Sequence, residues 1–508
     1  MNFTGLKRYV PSAVWVIAVS TVLVIPFKII SYDFLPGDDA LRHAAKAVSG
    51  KTWQQILVMR ADFHIDPSPG WQAILDWIHR WQGWDAEKLV VFSVVSLMLL
   101  VMLSALPWLR RPEAWLGALL MAAVFTPACT TRLARGRPYL LTTAVLIVLL
   151  LLWSRLKEDR EDRPSRLALV LTPLLVAASA WIHGSWYLLG LPAAAILLAG
   201  CWRSAFWFGG CWLAGSFLGS ALTGHPWEFL VQSVRHMFGV FGHLVVNRQL
   251  EPELHPSDGE TPALLAVAGL LIWRTLSSGW NPRVILNPIF MTMILGWVLG
   301  LKVQRFWWDF GIPAFVVWVA FELQDRLERY LAFDSERRLF LSLGLAVACF
   351  WGFTSDRQSR WTENLTKEYL TPATPGAADW LPGTNGIIYN STMDVFFDTF
   401  FKNPKAPWRY ILGFEPGLMR PEDLAVLRQI QWNYGDARAY EPWVQKMRPE
   451  DRMMVPATSE RSGPPAIPEL EWHYAVSGLW VGRLPRPTNG PPAMPQSQPA
   501  THGTAGPH

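Results

Sequence analysis

Long apolar blocks leave this chain few ways to fold. Residues 89–109 and 139–153 contain no charged side chain, and similar blocks recur along the first 354 residues. A helix needs about 20 such residues to cross a bilayer, where every backbone N–H and C=O must be satisfied inside the segment. Charged residues make up only 17% of the 508, against roughly a quarter in soluble domains. The expected fold is therefore an α-helical polytopic membrane protein. About eleven transmembrane helices are expected, near 11–31, 89–109, 114–130, 138–153, 167–182, 185–201, 205–223, 261–277, 284–301, 311–324 and 339–354. The first reads as a retained helix, because no small-residue cleavage site follows it and further spans do.

Basic residues orient these spans. Lys7 and Arg8, Arg110 and Arg111, the run 155–166, Arg203, Arg274 and Arg283, and the run 326–338 fall on alternate loops. Short cytoplasmic loops collect Lys and Arg. The expectation is a multi-pass protein of the cell inner membrane with a cytoplasmic N-terminus. The outer face then receives 32–88, 131–137, 183–184, 224–260, 302–309 and everything after Ser355. The net charge of +5 is spread between loops, so no nucleic-acid partner is expected. Cys129, Cys201, Cys211 and Cys349 all lie in apolar segments and form neither a disulfide framework nor a zinc spacing.

Residues 355–485 change character. Short β-type runs appear at 386–390, 408–414, 452–457 and 473–484, and "RPEDLAVLRQIQWNY" (420–434) has helical spacing with an acidic first turn. These features predict a C-terminal extracytoplasmic α/β domain at 355–485, in the periplasm, after a membrane region at 1–354. The Pro/Gly-rich stretch 486–508 reads as a disordered tail.

Ionisable residues avoid the centres of the spans and gather on the outer side. An ion-driven transporter would place acids near the midplane instead. An enzyme acting on a lipid-linked headgroup would place them where this chain does. After the first span comes "SYDFLPGDDALRHAAKAV" (31–48), with a turn at Pro36–Gly37, Asp38 at a helix N-cap position and helical spacing from Asp39 onward. Asp38 and Arg42, and Asp39 and His43, are four residues apart, so one reading is an N-cap with two surface ion pairs.

The stretch "GDDALRHAAKAVSGKTW", directly after a first membrane helix, resembles the opening of GT-C-type glycosyltransferases, such as the aminoarabinose and protein O-mannosyl transferases. Their first outer loop starts with an acidic pair followed by an Arg-aromatic step. Here the pair is Asp38–Asp39, and Arg42–His43 stands in the Arg-aromatic place. "DFHIDPSPGWQAILDWI" (62–78) resembles the family's proline segment, with His64 ahead of it, but Asp66 directly precedes Pro67 where a basic residue is more usual. "RLARGRPYLL" (132–141), "WIHGSW" (181–186) and "KVQRFWWDFGIPAF" (302–315) are weaker matches.

The resemblance implies transfer of a sugar from a polyprenyl-phosphate donor to a glycan, lipid or protein acceptor at the outer membrane face, with membrane lipid around it. Asp38 would be the catalytic base, and Asp39 its helper or a metal ligand. Arg42, His64, Arg137, His183 and Arg305 would bind substrate or phosphate. Asp39 and Asp66 could share a divalent cation, since hard carboxylate oxygens suit Mg²⁺ or Mn²⁺. Other readings stand beside these. Arg137 and Arg305 end apolar helices, where snorkelling arginines also occur. His183 in a tight turn could be structural. His225, His236 and His243 are 11 and 7 residues apart, which is no metal spacing, and "RQLEPELHPSDG" (248–259) reads as a solvated loop. The alternative functions are a glycan polymerase or ligase, and a non-enzymatic lipid or glycan transporter or assembly scaffold.

Overall fold

The computed structural model describes residues 9–63, 65–154, 164–242, 252–331, 334–433, 436–457, 463–476 and 478–486. Its helices of seven residues or more begin with α1 (Val10–Ile30), α2 (Asp39–Ser49), α3 (Pro69–Gln82), α4 (Ala86–Leu103) and α5 (Pro112–Phe125). They continue with α6 (Ala128–Ala134), α7 (Tyr139–Trp153), α8 (Arg166–Ile182), α9 (Leu191–Leu198), α10 (Trp202–Ala221) and α11 (Pro226–Gly242). The remainder are α12 (Thr261–Ser278), α13 (Pro288–Gly300), α14 (Ile312–Tyr330), α15 (Ser335–Thr354), α16 (Met393–Lys402) and α17 (Pro421–Trp432). Several starts are set by side-chain caps. Asp85 accepts from Lys88 N at 2.9 Å, Ser165 from Ala168 N at 3.1 Å and Asn287 from Phe290 N at 2.9 Å.

Among the described residues, α1, α4, α12 and α15 are long and apolar enough to cross a membrane. Two bent pairs, α5 with α6 and α10 with α11, each turn by 109° and raise the number to six if each is one span. Four further apolar stretches, among them α7, α8 and α13, are shorter. The chain is thus a largely helical membrane protein, but helix length and composition support four to six crossings where sequence pattern alone counts eleven. The expected spans at 138–153, 167–182 and 284–301 correspond to α7, α8 and α13, whose 15, 17 and 13 residues fall short of the length of a full crossing.

Two ends of the helix bundle carry charge. At one end Arg338 forks onto Glu113, with Nε at 2.7 Å and Nη2 at 3.2 Å, and Arg111 lies 3.5 Å from the same acid. Arg274, from another of the loops read as basic, donates to Glu322 at 2.6 Å. The other end holds the acidic pair and the C-terminal region.

That region contains a five-stranded mixed sheet, with β1 (Ile387–Asn390), β2 (Arg409–Tyr410), β3 (Arg452–Pro456), β4 (Glu471–Val476) and β5 (Leu479–Arg483) in the order β2-β1-β3-β5-β4. β1 runs parallel to β2 and β3, while β5 pairs antiparallel with β3 and β4. The sheet region is stitched to the segment between α2 and α3, for Val58 N donates to Tyr410 O at 2.8 Å and Arg60 N to Leu418 O at 3.0 Å. One buried apolar cluster runs from α1 and α4 through α2 to Phe396, Phe400 and Phe414. Residue 354 is therefore no boundary in packing, and the C-terminal region supplies one wall of a cavity beside the acidic pair.

Candidate functional site

This cavity, of about 460 Å³, lies where the segment between α1 and α4, the ends of several further helices and the C-terminal region meet. Asp38, Asp39 and Arg42 line it from the start of α2, Arg135 and Arg137 from the turn before α7, and His183 from the end of α8. Arg305 and Asp309 face it from the turn before α14, and Phe414 and Glu415 from beyond β2.

Asp38 occupies the N-cap position of α2, but its side chain makes no capping bond. Its Oδ2 instead accepts from Arg137 Nη2 at 2.8 Å and Nε at 3.2 Å, and lies 3.4 Å from Arg135 Nη1. Its Oδ1 is buried and has no hydrogen-bond partner. Asp39 accepts from Arg42 Nε at 2.7 Å, and its Oδ2 lies 3.8 Å from Arg137 Nε. Arg42 also lies 3.9 Å above the Phe414 ring, which holds its plane. Burial acts to raise the Asp39 carboxyl, but Arg42 and Arg137 together outweigh it and hold that group well below the usual carboxylate range. These are not the solvated i, i+4 pairs that the spacing suggested. Arg42 is buried and pairs with Asp39 three residues back, and His43 is fully buried.

The arginines reach this point through the break after α5. α6 turns back there and carries Arg132, and the following turn carries Arg135 and Arg137. Between the last two, Gly136 has a φ of 63° and packs so closely on Val94 and Ala40 that a side chain would have little room. Glu253 sits among them. Arg137 donates to its Oε1, Arg135 lies 3.5 Å from that oxygen, and Arg132 is 3.1 Å from Oε2. Asp309 completes the chain of charges, bonded to both Nε and Nη2 of Arg132 and 3.1 Å from Arg305 Nε.

No protein-family model and no curated protein matches this sequence. Solved structures do. ArnT from Cupriavidus metallidurans, solved bound to undecaprenyl phosphate, has a TM-score of 0.52 at 14% identity, over 96% of this chain and 99% of that one. The chain has the GT-C fold.

Two other GT-C structures are similar at lower scores. Arabinofuranosyltransferase AftD from Mycobacteria gives 0.48 at 14% identity over 94% of this chain, which spans 40% of its length. The Archaeoglobus fulgidus oligosaccharyltransferase, tethered to an acceptor peptide, gives 0.47 at 13% identity, over 87% of this chain and 69% of that one.

Within this GT-C fold, Asp38, Asp39, Arg42, Arg137, His183 and Arg305 come together around one cavity. His183 is half-buried, its Nδ1 buried and unbonded and its ring edge-on to Tyr139 at 5.2 Å, and loss of solvent around the ring pushes its pKa down to about 3. His64 lies outside the described residues. Asp66 does not line the cavity. It accepts from Trp53 Nε1 at 2.8 Å and Ser68 N at 2.9 Å and pairs with Lys46 at 3.2 Å, fastening the proline segment to α2. A divalent cation does not fit this donor set. The oxygens of Asp39 and Asp66 are already matched to cations and N–H groups, and among the described residues no three His, Cys, Asp or Glu side chains converge as ligands. Of the spaced histidines, His225 pairs with Glu228 on the surface, His236 lines the cavity against Glu415, and His243 lies outside the described residues.

Four participants escaped the sequence reading. Arg132 and Arg135 were visible as part of "RLARGR", and Asp309 as part of "RFWWDF", but their pairing was not. The polar composition around Glu253 predicts a solvated loop, yet the residue is only 7% exposed. No local pattern in the sequence distinguishes a glutamate that serves as a buried counter-charge from one that water surrounds.

Proposed function

We propose that the protein is an inverting glycosyltransferase that moves a sugar from a polyprenyl-phosphate carrier to a glycan, lipid or protein acceptor at the outer face of the membrane. Residues 1–354 form the catalytic region, the N-terminus is cytoplasmic, and 355–485 close the acceptor side in the periplasm. One observation carries the reading. The Asp38 carboxylate is clamped by guanidinium groups through one oxygen, has no partner on the other, and stands at a cavity rich in arginine. The undecaprenyl phosphate held by the GT-C neighbour ArnT supports the choice of carrier.

The chemistry follows from charge. An acceptor hydroxyl attacks C1 of the sugar, its O–C1 bond forms as the C1–O bond to phosphate breaks, and its proton passes to Asp38. Clamping Oδ2 fixes the carboxylate in one orientation, so Asp38 meets the hydroxyl without reorganising. The electron pair released to the leaving phosphate is met by the fixed cations Arg135, Arg137 and Arg305. Asp39 holds Arg42 in place. A single displacement inverts the anomeric centre, and no step is routed through a metal ion.

The test is incubation of purified protein with a panel of polyprenyl-phosphate sugars and a broad acceptor mixture with divalent metals, comparing wild type with Asp38→Asn. Release of free polyprenyl phosphate by wild type alone supports the proposal. Absence of release from every donor would favour a transporter or scaffold.

A further inference from the structure

Glu253 is an acid in a place shaped for a different anion. Four guanidinium groups converge on its side chain. Arg137 and Arg135 approach Oε1, while Arg132 Nη1 at 3.1 Å and Arg305 Nε at 3.9 Å approach Oε2. The fit is incomplete. Oε2 is buried without an aligned hydrogen bond, and so is Arg132 Nη1 beside it. A planar carboxylate cannot point lone pairs at four forks arriving from different directions, whereas a tetrahedral phosphate offers acceptors in all of them.

The charges lead to the same place. Asp38 already serves Arg135 and Arg137, and Asp309 already serves Arg132 and Arg305. Glu253 is a third acid on the same four cations. Burial acts to raise its carboxyl, but Arg132, Arg137 and Arg305 overcome that and keep it well below the usual range, so it is an anion throughout the neutral pH range. A phosphate group arriving while Glu253 remains would face a like charge across the same guanidiniums.

We propose that the Glu253 carboxylate occupies the position of the donor's phosphate, as an internal stand-in that the polyprenyl phosphate must displace, in a cradle formed by Arg132, Arg135, Arg137 and Arg305. The inference rests on reading the cavity as the donor site. It makes Glu253 a residue that weakens binding of the carrier and keeps the arginines apart from other anions while the site is empty. A purely structural Glu253 would do the opposite, for removing it would scatter the arginines and weaken the carrier's hold.

The experiment titrates the purified full chain with undecaprenyl phosphate and, separately, follows thermal unfolding with inorganic phosphate against chloride at equal ionic strength. Wild type, Glu253→Gln and Glu253→Asp are compared. Glu253→Gln is expected to bind undecaprenyl phosphate about tenfold or more tightly than wild type, and inorganic phosphate is expected to stabilise it more than wild type. Glu253→Asp keeps the charge but withdraws it by one methylene, and should shift binding in the same direction by less; it decides the matter if Glu253→Gln does not fold. Equal or weaker binding in the folded variants, with no added stabilisation by phosphate, overturns the inference. If no form binds undecaprenyl phosphate while inorganic phosphate still stabilises Glu253→Gln selectively, the donor assignment falls and the stand-in survives.

Discussion

Arg137 donates two hydrogen bonds to a single oxygen of Asp38, from Nη2 at 2.8 Å and from Nε at 3.2 Å. Its remaining Nη1 reaches Glu253, so one guanidinium joins the start of α2 to the segment ahead of α12 that carries Glu253. The rigid fork sets the orientation of the carboxylate that the proposed mechanism uses as base.

Arg137→Lys should therefore damage turnover without unfolding the protein. A lysine keeps the charge but cannot span both acids from one plane. Loss of orientation of this kind costs about 100-fold in rate. Steady-state kinetics beside a melting curve in detergent will check it; an unchanged kcat would mean that the fork does not position Asp38.

Acid should weaken the fold through two histidines that the folded chain keeps neutral. Burial pushes both His43 and His183 from 6.5 to about 3, with Arg42 beside His43 and Arg305 facing His183 adding to the effect. The unfolded chain takes up these protons near pH 6.5, whereas the folded chain resists until about pH 3. Their contribution is thus complete above pH 6.5 and is lost as pH falls through that window. Melting temperatures measured downward from about pH 7.5 should drop, and the His43→Gln/His183→Gln double variant should show a shallower slope. Parallel slopes would contradict this.

At the opposite end of the bundle, Glu113→Ala should destabilise strongly. It would leave the guanidiniums of Arg338 and Arg111, each 12% exposed, without their fully buried acid. Breaking a buried pair from one side costs about 3–5 kcal/mol. The double variant Glu113→Leu/Arg338→Met should recover much of the loss in a denaturation assay, because it removes both charges together.

α10 packs on α8 through Gly215 and Gly219, a small-xxx-small pair that lets the backbones approach. A Cβ at Gly219 would collide with the carbonyl of Ala177. Gly219→Val should cost about 1–3 kcal/mol by overpacking, seen as a lower melting temperature, while Gly209→Ala on the open face of the same helix should be neutral.

By itself the sequence determined the class of fold, the acidic pair behind the first membrane helix, and the positions of the β-type runs at 386–390, 452–457 and 473–484. Each of these is local: an apolar block, a capping residue or an alternating run carries its own signature within a few residues. Only the tertiary structure decided that Asp38 forgoes its capping bond for Arg137, that residues 57–60 join the C-terminal region, and that Glu253 is buried among arginines. Those pairings link loops separated by up to hundreds of residues, and a charge looks the same in sequence whether water or a distant guanidinium neutralises it. Where the helices break, and hence which loop ends meet, fixes the partner of each charge.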